Sequence, residues 1–366
     1  MGESLPDAPE ALSHGCERMI DLIREGDQNE RVADVQSRLR ALGFEISDGT
    51  GRFGPGTKKA VREFQQQRHV LVDGIVGPNT WSELVEASWR LGDRTLYLRR
   101  PPLRGDDVRT LQSRLNALGF DSGREDGIFG IATDAAVRAF QKEYAIAGDG
   151  IFGSMSQAAL TGLRVDRPGT SARLREELKK ELRTGMSGAL IFVDPGHGGE
   201  DHGANGRRGN AEADLCWELS IRLADELARR GAKVRFTRTE AEGPDSSERA
   251  ERANALDGDL FISIHLNEND ETTAEGTSTY FFGSSHSGAI LADKIQHELV
   301  GLGLRDCRSH ARSYAILRET RMPAVLVEPV FITNDDEEKR LEDPEFVREL
   351  AAAIATGIAR YYAESL

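Results

Sequence analysis

The sequence predicts a multidomain protein: two small all-α modules of three helices each, followed by an α/β domain whose mostly parallel sheet is covered by helices. Three observations carry this. The segment VQSRLRALGF beginning at Val35 returns as LQSRLNALGF beginning at Leu111, an offset of 76 residues, and self-similarity at a fixed period marks repeated structural units. Beyond about residue 188 the rhythm changes to short β-rich runs separated by helical stripes, the pattern of β–α–β units. A length of 366 residues is too great for one ordinary core and suits two or three domains of roughly 100–200 residues.

The elements follow in chain order. Residues 1–30 form an N-terminal segment without a basic head, an apolar run and a small-residue cleavage site, so no secretory signal is expected and the protein is expected to be cytoplasmic. The repeats span 31–86 and 107–162. Their register holds without a gap: Phe53-Gly54 meets Phe129-Gly130, Phe64-Gln65 meets Phe140-Gln141, and Asp73-Gly74 meets Asp149-Gly150. Val35, Leu39 and Leu42 sit at helical spacing, Gly43 offers a stop, and Ala60, Val61 and Phe64 begin a second stripe. Turns such as DGTGRFG and VDGIVGPNT supply glycines between helices, and Thr80 or Ser156 is positioned to start a third. Residues 163–187 are rich in Arg, Lys and Glu, with LREELKKELR suited to a charged helix, and form a linker. In residues 188–366, ALIFVD, KVRFTR, LFISIH, TSTYFF and AVLVEP are the expected strands.

Composition narrows the function. A formal net charge of -14 disfavours gripping nucleic acid or an anionic membrane surface. No stretch approaches the roughly 18–20 apolar residues of a membrane-spanning helix, so membrane insertion is not expected. Cys16, Cys216 and Cys307 are too few and scattered for a disulfide framework or a structural metal site.

Ligands of such sheets settle outside the carboxyl ends of the strands, and three strands here end in chemistry-bearing residues. IFVD runs into PGHGG and places His197 on a glycine-rich turn, LFISI ends on His265, and AVLV ends on Glu328. Glu212 opens the helix ahead of Trp217. A histidine at a strand end is by itself more often a hydrogen-bonded structural residue. Two imidazoles and a carboxylate together are a common catalytic zinc set that leaves a position for water, and a second carboxylate is the base such chemistry needs.

Two resemblances add to this reading. The runs LQ..L..LGF, DG.FG..T..AV..FQ and DG..G..T...L resemble a family of peptidoglycan-binding modules, which implies cell-wall peptide or glycan as partner, although Phe64 and Phe140 themselves read as packing residues. DPGHGGEDHGA, E-A-D-L, F-T-R, ERAERAN, ISIHLN, R-M-P-A-V-L-V-E and F-I-T-N resemble, over about residues 188–363, the zinc N-acetylmuramoyl-L-alanine amidases of the Amidase_3 family. That resemblance implies Zn2+ as cofactor, His197, Glu212 and His265 as its ligands, Glu328 as the catalytic carboxylate, and peptidoglycan fragments or muropeptides as substrate. Glu218 competes for the carboxylate position, but the E-x-D-L register favours Glu212. Asp194, Asp201 and Asn267 match supporting positions, with Asn267 expected behind His265. His202, His286 and His310 read as surface or supporting residues. The chain departs from the family at Val330, where a glycine is usual and where a side chain could narrow the cleft. The whole arrangement also resembles a group of actinobacterial proteins, which implies an alternative role: a cytoplasmic regulator acting by contact with a peptidoglycan-precursor enzyme.

Overall fold

The structure is a computed structural model that describes residues 22–163 and 185–363. The first residues of the N-terminal segment, with Cys16, and the expected charged helix of the linker lie outside the described residues. No helix among the described residues is long and apolar enough to cross a membrane.

The repeats are helical as expected: α1 (Glu30–Ala41), α2 (Pro55–Gln67) and α3 (Pro78–Ala87), then α4 (Asp106–Ala117), α5 (Ile131–Glu143) and α6 (Ser154–Thr161). Asn29 caps α1 by accepting from the Val32 amide at 3.0 Å. The third helices start two residues earlier than Thr80 and Ser156, at Pro78 and Ser154, because those hydroxyls are buried partners of glutamine and not caps. Each repeat buries two glutamines. Gln36 Nε2 donates to the carbonyls of Gly49 and Arg52 and to Thr57 Oγ1, while its Oε1 accepts from the Gly51 amide. Gln112 does the same around Gly127 and Thr133. Gln65 and Gln141 clamp the second turn of each repeat at Gly74 and Gly150, reaching Thr80 and Ser156 at 3.1 Å in both copies. These side chains satisfy turn groups that the fold removes from water.

The C-terminal domain comprises β1 (Leu190–Pro195), α7 (Glu212–Arg229), β2 (Lys233–Phe236), α8 (Ser246–Ala255), β3 (Leu260–Ile264), β4 (Thr277–Phe281), α9 (His286–Gly301), β5 (Asp306–Ala311), α10 (Ala315–Glu319), β6 (Ala324–Glu328), α11 (Asp335–Leu341) and α12 (Pro344–Ala363). The sheet runs β2-β1-β3-β6-β4-β5. All its pairings are parallel except β4 with β6. Side chains alternate between two cores. Ile191, Val193, Ile262, Ile264, Val325 and Val327 pack with α7, α9 and α12. Phe192, Phe261, Ala324 and Leu326 face α8 and α10. One strand, β5, was not expected, because DCRSHA is polar and runs along the sheet edge. In the central strands Pro195 pairs with Ile264 and Ile264 with Val327, so the chain leaves all three at one edge.

The chain divides into two compact units: one built on the first repeat, the other beginning at Glu86, with Gln67–Val70, and containing the second repeat and the α/β domain. Within the second unit, α10 is a point of attachment. Arg318 forms a buried ion pair with Glu86 at 3.1 Å, Glu319 pairs with Arg104 at 2.8 Å, and the Thr320 carbonyl accepts from Arg124 at 3.0 Å.

Candidate metal centre

The parallel edge of the sheet delivers the site. His197 follows β1 on a turn with φ of +54°, a conformation costly for a residue with a side chain. Two arginines hold it there. Arg249 donates to the carbonyls of Pro195 and His197, and Arg238 donates to those of Pro195 and Gly196, each at 2.9 Å. Asp194 anchors this clamp, accepting from Arg249, Thr237 Oγ1 and Ser263 Oγ.

Glu212, the first residue of α7, is 4% exposed and lies between two imidazoles. Its Oε2 is 3.1 Å from His197 Nε2, and its Oε1 is 3.1 Å from His265 Nδ1. The amides of Ala204 and Leu266 also donate to it, both at 3.0 Å. Burial works to raise the Glu212 carboxyl, but the hydrogen bonds from the two histidines outweigh it and hold the group well below the usual carboxylate range. His197 Nδ1 meets Asp201 Oδ2 at 2.9 Å, a contact that fixes the ring and turns Nε2 toward the cluster. Burial alone would lower His197, yet Glu212 and Asp201 raise it.

The donor set fits a divalent metal. One ligand atom from each of His197, Glu212 and His265 lies within 4.8 Å of the others, and two imidazoles with one carboxylate are a donor set that catalytic zinc sites commonly use. Two glycines make the room. A Cβ at Gly203 would stand 2.6 Å from the His197 ring and 2.7 Å from Glu212 Oε2, and one at Gly196 would stand 2.6 Å from the His265 ring. Glu328, the last residue of β6, is pushed up to about 6 by burial, against the opposing pull of His265 and the Tyr280 hydroxyl.

The structure thus brings His197, Glu212 and His265 into one cluster, with Glu328 close enough to feel the charges of His265 and Glu212. It leaves Glu218 outside, half-exposed and 3.6 Å from Arg222. Asn267 does not support His265; its Nδ2 donates to Ser278 Oγ at 3.1 Å. Val330 does not line the cleft: it is fully buried in the core beneath α7, α9 and α12, and its φ is not positive. His310 Nε2 contacts the Cys307 carbonyl. Sequence reasoning missed Arg238, Arg249, Ser278 and Tyr280; the F-T-R and ERAERAN motifs held the two arginines, but an arginine on a helix ordinarily reads as a solvated face.

Comparison with known proteins identifies the family of the α/β domain and of the repeats. Residues 191–360 match the N-acetylmuramoyl-L-alanine amidase family, and residues 28–84 and 104–160 each match a peptidoglycan binding domain family. The chain is 42% identical over 364 residues to N-acetylmuramoyl-L-alanine amidase CwlM of Mycobacterium tuberculosis, covering 93% of this chain and 90% of that protein. It is 32% identical over 197 residues to N-acetylmuramoyl-L-alanine amidase LytC of Bacillus subtilis, covering 53% of this chain and 40% of that one. Among solved structures, amidase AmiC2 of Nostoc punctiforme is similar at 31% identity and a TM-score of 0.45, over 48% of this chain and 98% of that one. The chain belongs to the N-acetylmuramoyl-L-alanine amidase family and carries two peptidoglycan-binding-type repeats ahead of its amidase domain.

Proposed function

We propose that the protein is a zinc-dependent hydrolase of the amide joining the lactyl group of N-acetylmuramic acid to the L-alanine of the stem peptide, in peptidoglycan or its fragments. The observation that carries this reading is the convergence of His197, Glu212 and His265 on one point at the open sheet edge, with Glu328 beside them. His197, Glu212 and His265 would hold the zinc, which would supply Lewis-acid chemistry for the scissile carbonyl and the attacking water. Glu328 accepts the proton of the attacking water and returns it to the alanine nitrogen as the carbon–nitrogen bond breaks. A carboxyl raised to about 6 stays largely ionised at neutral pH, yet its conjugate acid is strong enough to protonate a departing amine. Asp201 holds the His197 ring, and the arginine clamp holds its backbone, so the ligands are set before substrate arrives.

The test is Glu328→Ala. Zinc content should equal that of the parent while release of stem peptide from muropeptides falls to background, because the substitution removes the base and spares the ligands. Cleavage at the parental rate would remove Glu328 from this role.

A second reading is a regulator that works in the cytoplasm through its folded surfaces on a precursor enzyme. The buried contacts of α10 with Glu86, Arg104 and Arg124 within the second unit favour it, since side chains held in place make a defined surface for protein docking. Complementation of a gene deletion by the Glu328→Ala protein, with fractionation to locate it, separates the two: full complementation supports the scaffold, and failure of a stable, correctly located protein supports catalysis.

A further inference from the structure

We infer that Glu338 is a positioning residue for Glu212: from α11 it pins the hairpin that delivers this carboxylate to the two histidines. The inference rests on reading Glu212 as a metal ligand. Ala204 grips Glu212 twice. The Glu212 amide donates to the Ala204 carbonyl at 2.9 Å, and the Ala204 amide donates to Glu212 Oε2 at 3.0 Å. That oxygen is the one 3.1 Å from His197 Nε2, so whatever holds Ala204 also aims the carboxylate. Between Ala204 and Glu212 the chain makes a hairpin. Asn205 bridges Ala211 in antiparallel fashion, the Gly206 amide donates to the Asn210 carbonyl at 2.9 Å, and the Gly209 amide donates to the Gly206 carbonyl at 3.2 Å. So short a two-stranded element is marginally stable at best by itself and needs support from outside.

Glu338, fully buried, is that support. Its Oε2 accepts from the Arg208 amide at 2.9 Å, and its Oε1 accepts from Asn210 Nδ2 at 2.9 Å and from the Asn210 amide at 3.3 Å. All three donors are N–H groups, so the direction of every bond is fixed. A Cβ at Gly206 would stand 2.1 Å from Glu338 Oε1, which lays the hairpin backbone directly on the carboxylate. Glu342 adds an outer contact, accepting from Arg208 Nε at 2.8 Å and Nη2 at 3.0 Å, but its side chain is exposed and water screens that pair. The helix that carries Glu338 is itself held. Asn334 caps α11 by accepting from the Asp336 and Glu337 amides, both at 3.1 Å, and Leu341 packs in the core. The preceding residue, Glu337, is also buried but serves the other side of the site, accepting from the Gly276 amide at 2.9 Å and the Phe331 amide at 2.7 Å. Two adjacent side chains of one helix thus divide their tasks, and it is Glu338 that reaches the hairpin of the ligand.

Glu338→Gln keeps the length of the side chain but puts an NH2 group where one oxygen faced the hairpin donors. In competition with a fluorescent chelator its Kd for zinc should rise about tenfold, as when a group behind a metal ligand is lost. With zinc in excess, kcat on a muropeptide should return toward the parent value. Glu337→Gln, an equal change one residue away, should leave the zinc Kd at the parent value, which separates positioning of the ligand from general loosening of α11. Asn210→Ala, which removes one donor from the hairpin side, should raise the Kd in the same direction by less, and it carries the test if Glu338→Gln does not fold. A parental Kd in folded Glu338→Gln, or the same rise in Glu337→Gln, overturns the inference. A parent that takes up no zinc would instead defeat the metal reading. Crystal structures of the metal-free parent and Glu338→Gln would then still decide whether Glu338 positions Glu212, by whether the hairpin and the Glu212 carboxylate have moved.

Discussion

At the scale of residues, the site is a set of ordinary groups made unusual by where the backbone puts them. Glu212 sits at a helix start between two imidazoles, and it stays charged although buried because both neighbours donate to it. This much was legible in the chain, since histidines and glutamates at strand ends form a recognisable chemical pattern. The residues that hold them were not, because serine, tyrosine and arginine carry no signal until the fold shows what they touch. Gly203 is the clearest case. Its φ of +67° and the 2.6 Å approach to His197 leave no room for a methyl group. Gly203→Ala should therefore weaken zinc binding by about tenfold to a hundredfold, the usual consequence of disturbing the groups around a metal ligand, while thermal unfolding shows a folded domain. Unaltered zinc affinity in a competition titration with a chelator would show that the ring can move aside.

At the scale of elements, the helices of the repeats were readable from apolar spacing, and five of the six strands from their β-branched runs. Edge strand β5 escaped because its residues are polar. The glutamine clamps escaped for a related reason: a pattern analysis assigns burial to Leu, Val and Phe, whereas the Gln of Val35-Gln36, of Leu111-Gln112 and of each F-Q pair is buried as well and carries the turn. Gln141→Ala would strip partners from the Gly150 amide and the Ile151 carbonyl, and a buried group left unsatisfied costs roughly 1–3 kcal/mol. We expect the urea midpoint of the second unit to fall accordingly, and Gln65→Ala to do the same to the first repeat, whose clamp is equivalent. A loss under about 0.5 kcal/mol, the range of a neutral surface substitution, would show that water replaces the side chain at these turns.

At the scale of the whole molecule, the repeat register and the change of rhythm near residue 188 showed where helical modules give way to a sheet, but contacts between parts far apart in sequence could not be read. Arg318 and Glu86 are such a pair, with side chains 7% and 5% exposed. Removing one partner of a buried ion pair leaves the other charge stranded, typically at about 3–5 kcal/mol, whereas replacing both by apolar groups is often neutral. Glu86→Ala should thus destabilise the second unit strongly in chemical denaturation, and Glu86→Leu with Arg318→Leu should recover most of the loss; a single substitution without effect would mean the pair is screened by solvent. The sheet order has a consequence for how the protein comes into being. The three candidate zinc ligands all belong to the β2-β1-β3 half, complete by residue 265, whereas β4 and β5 form a separate pair until β6 enters between β3 and β4. During synthesis from the N-terminus, the cluster of His197, Glu212 and His265 can assemble before Glu328 has been added to the chain. The last strand laid into the sheet is the one that carries Glu328, the proposed base, so a nascent or prematurely ended chain can bring the three candidate ligands together before it holds that carboxylate.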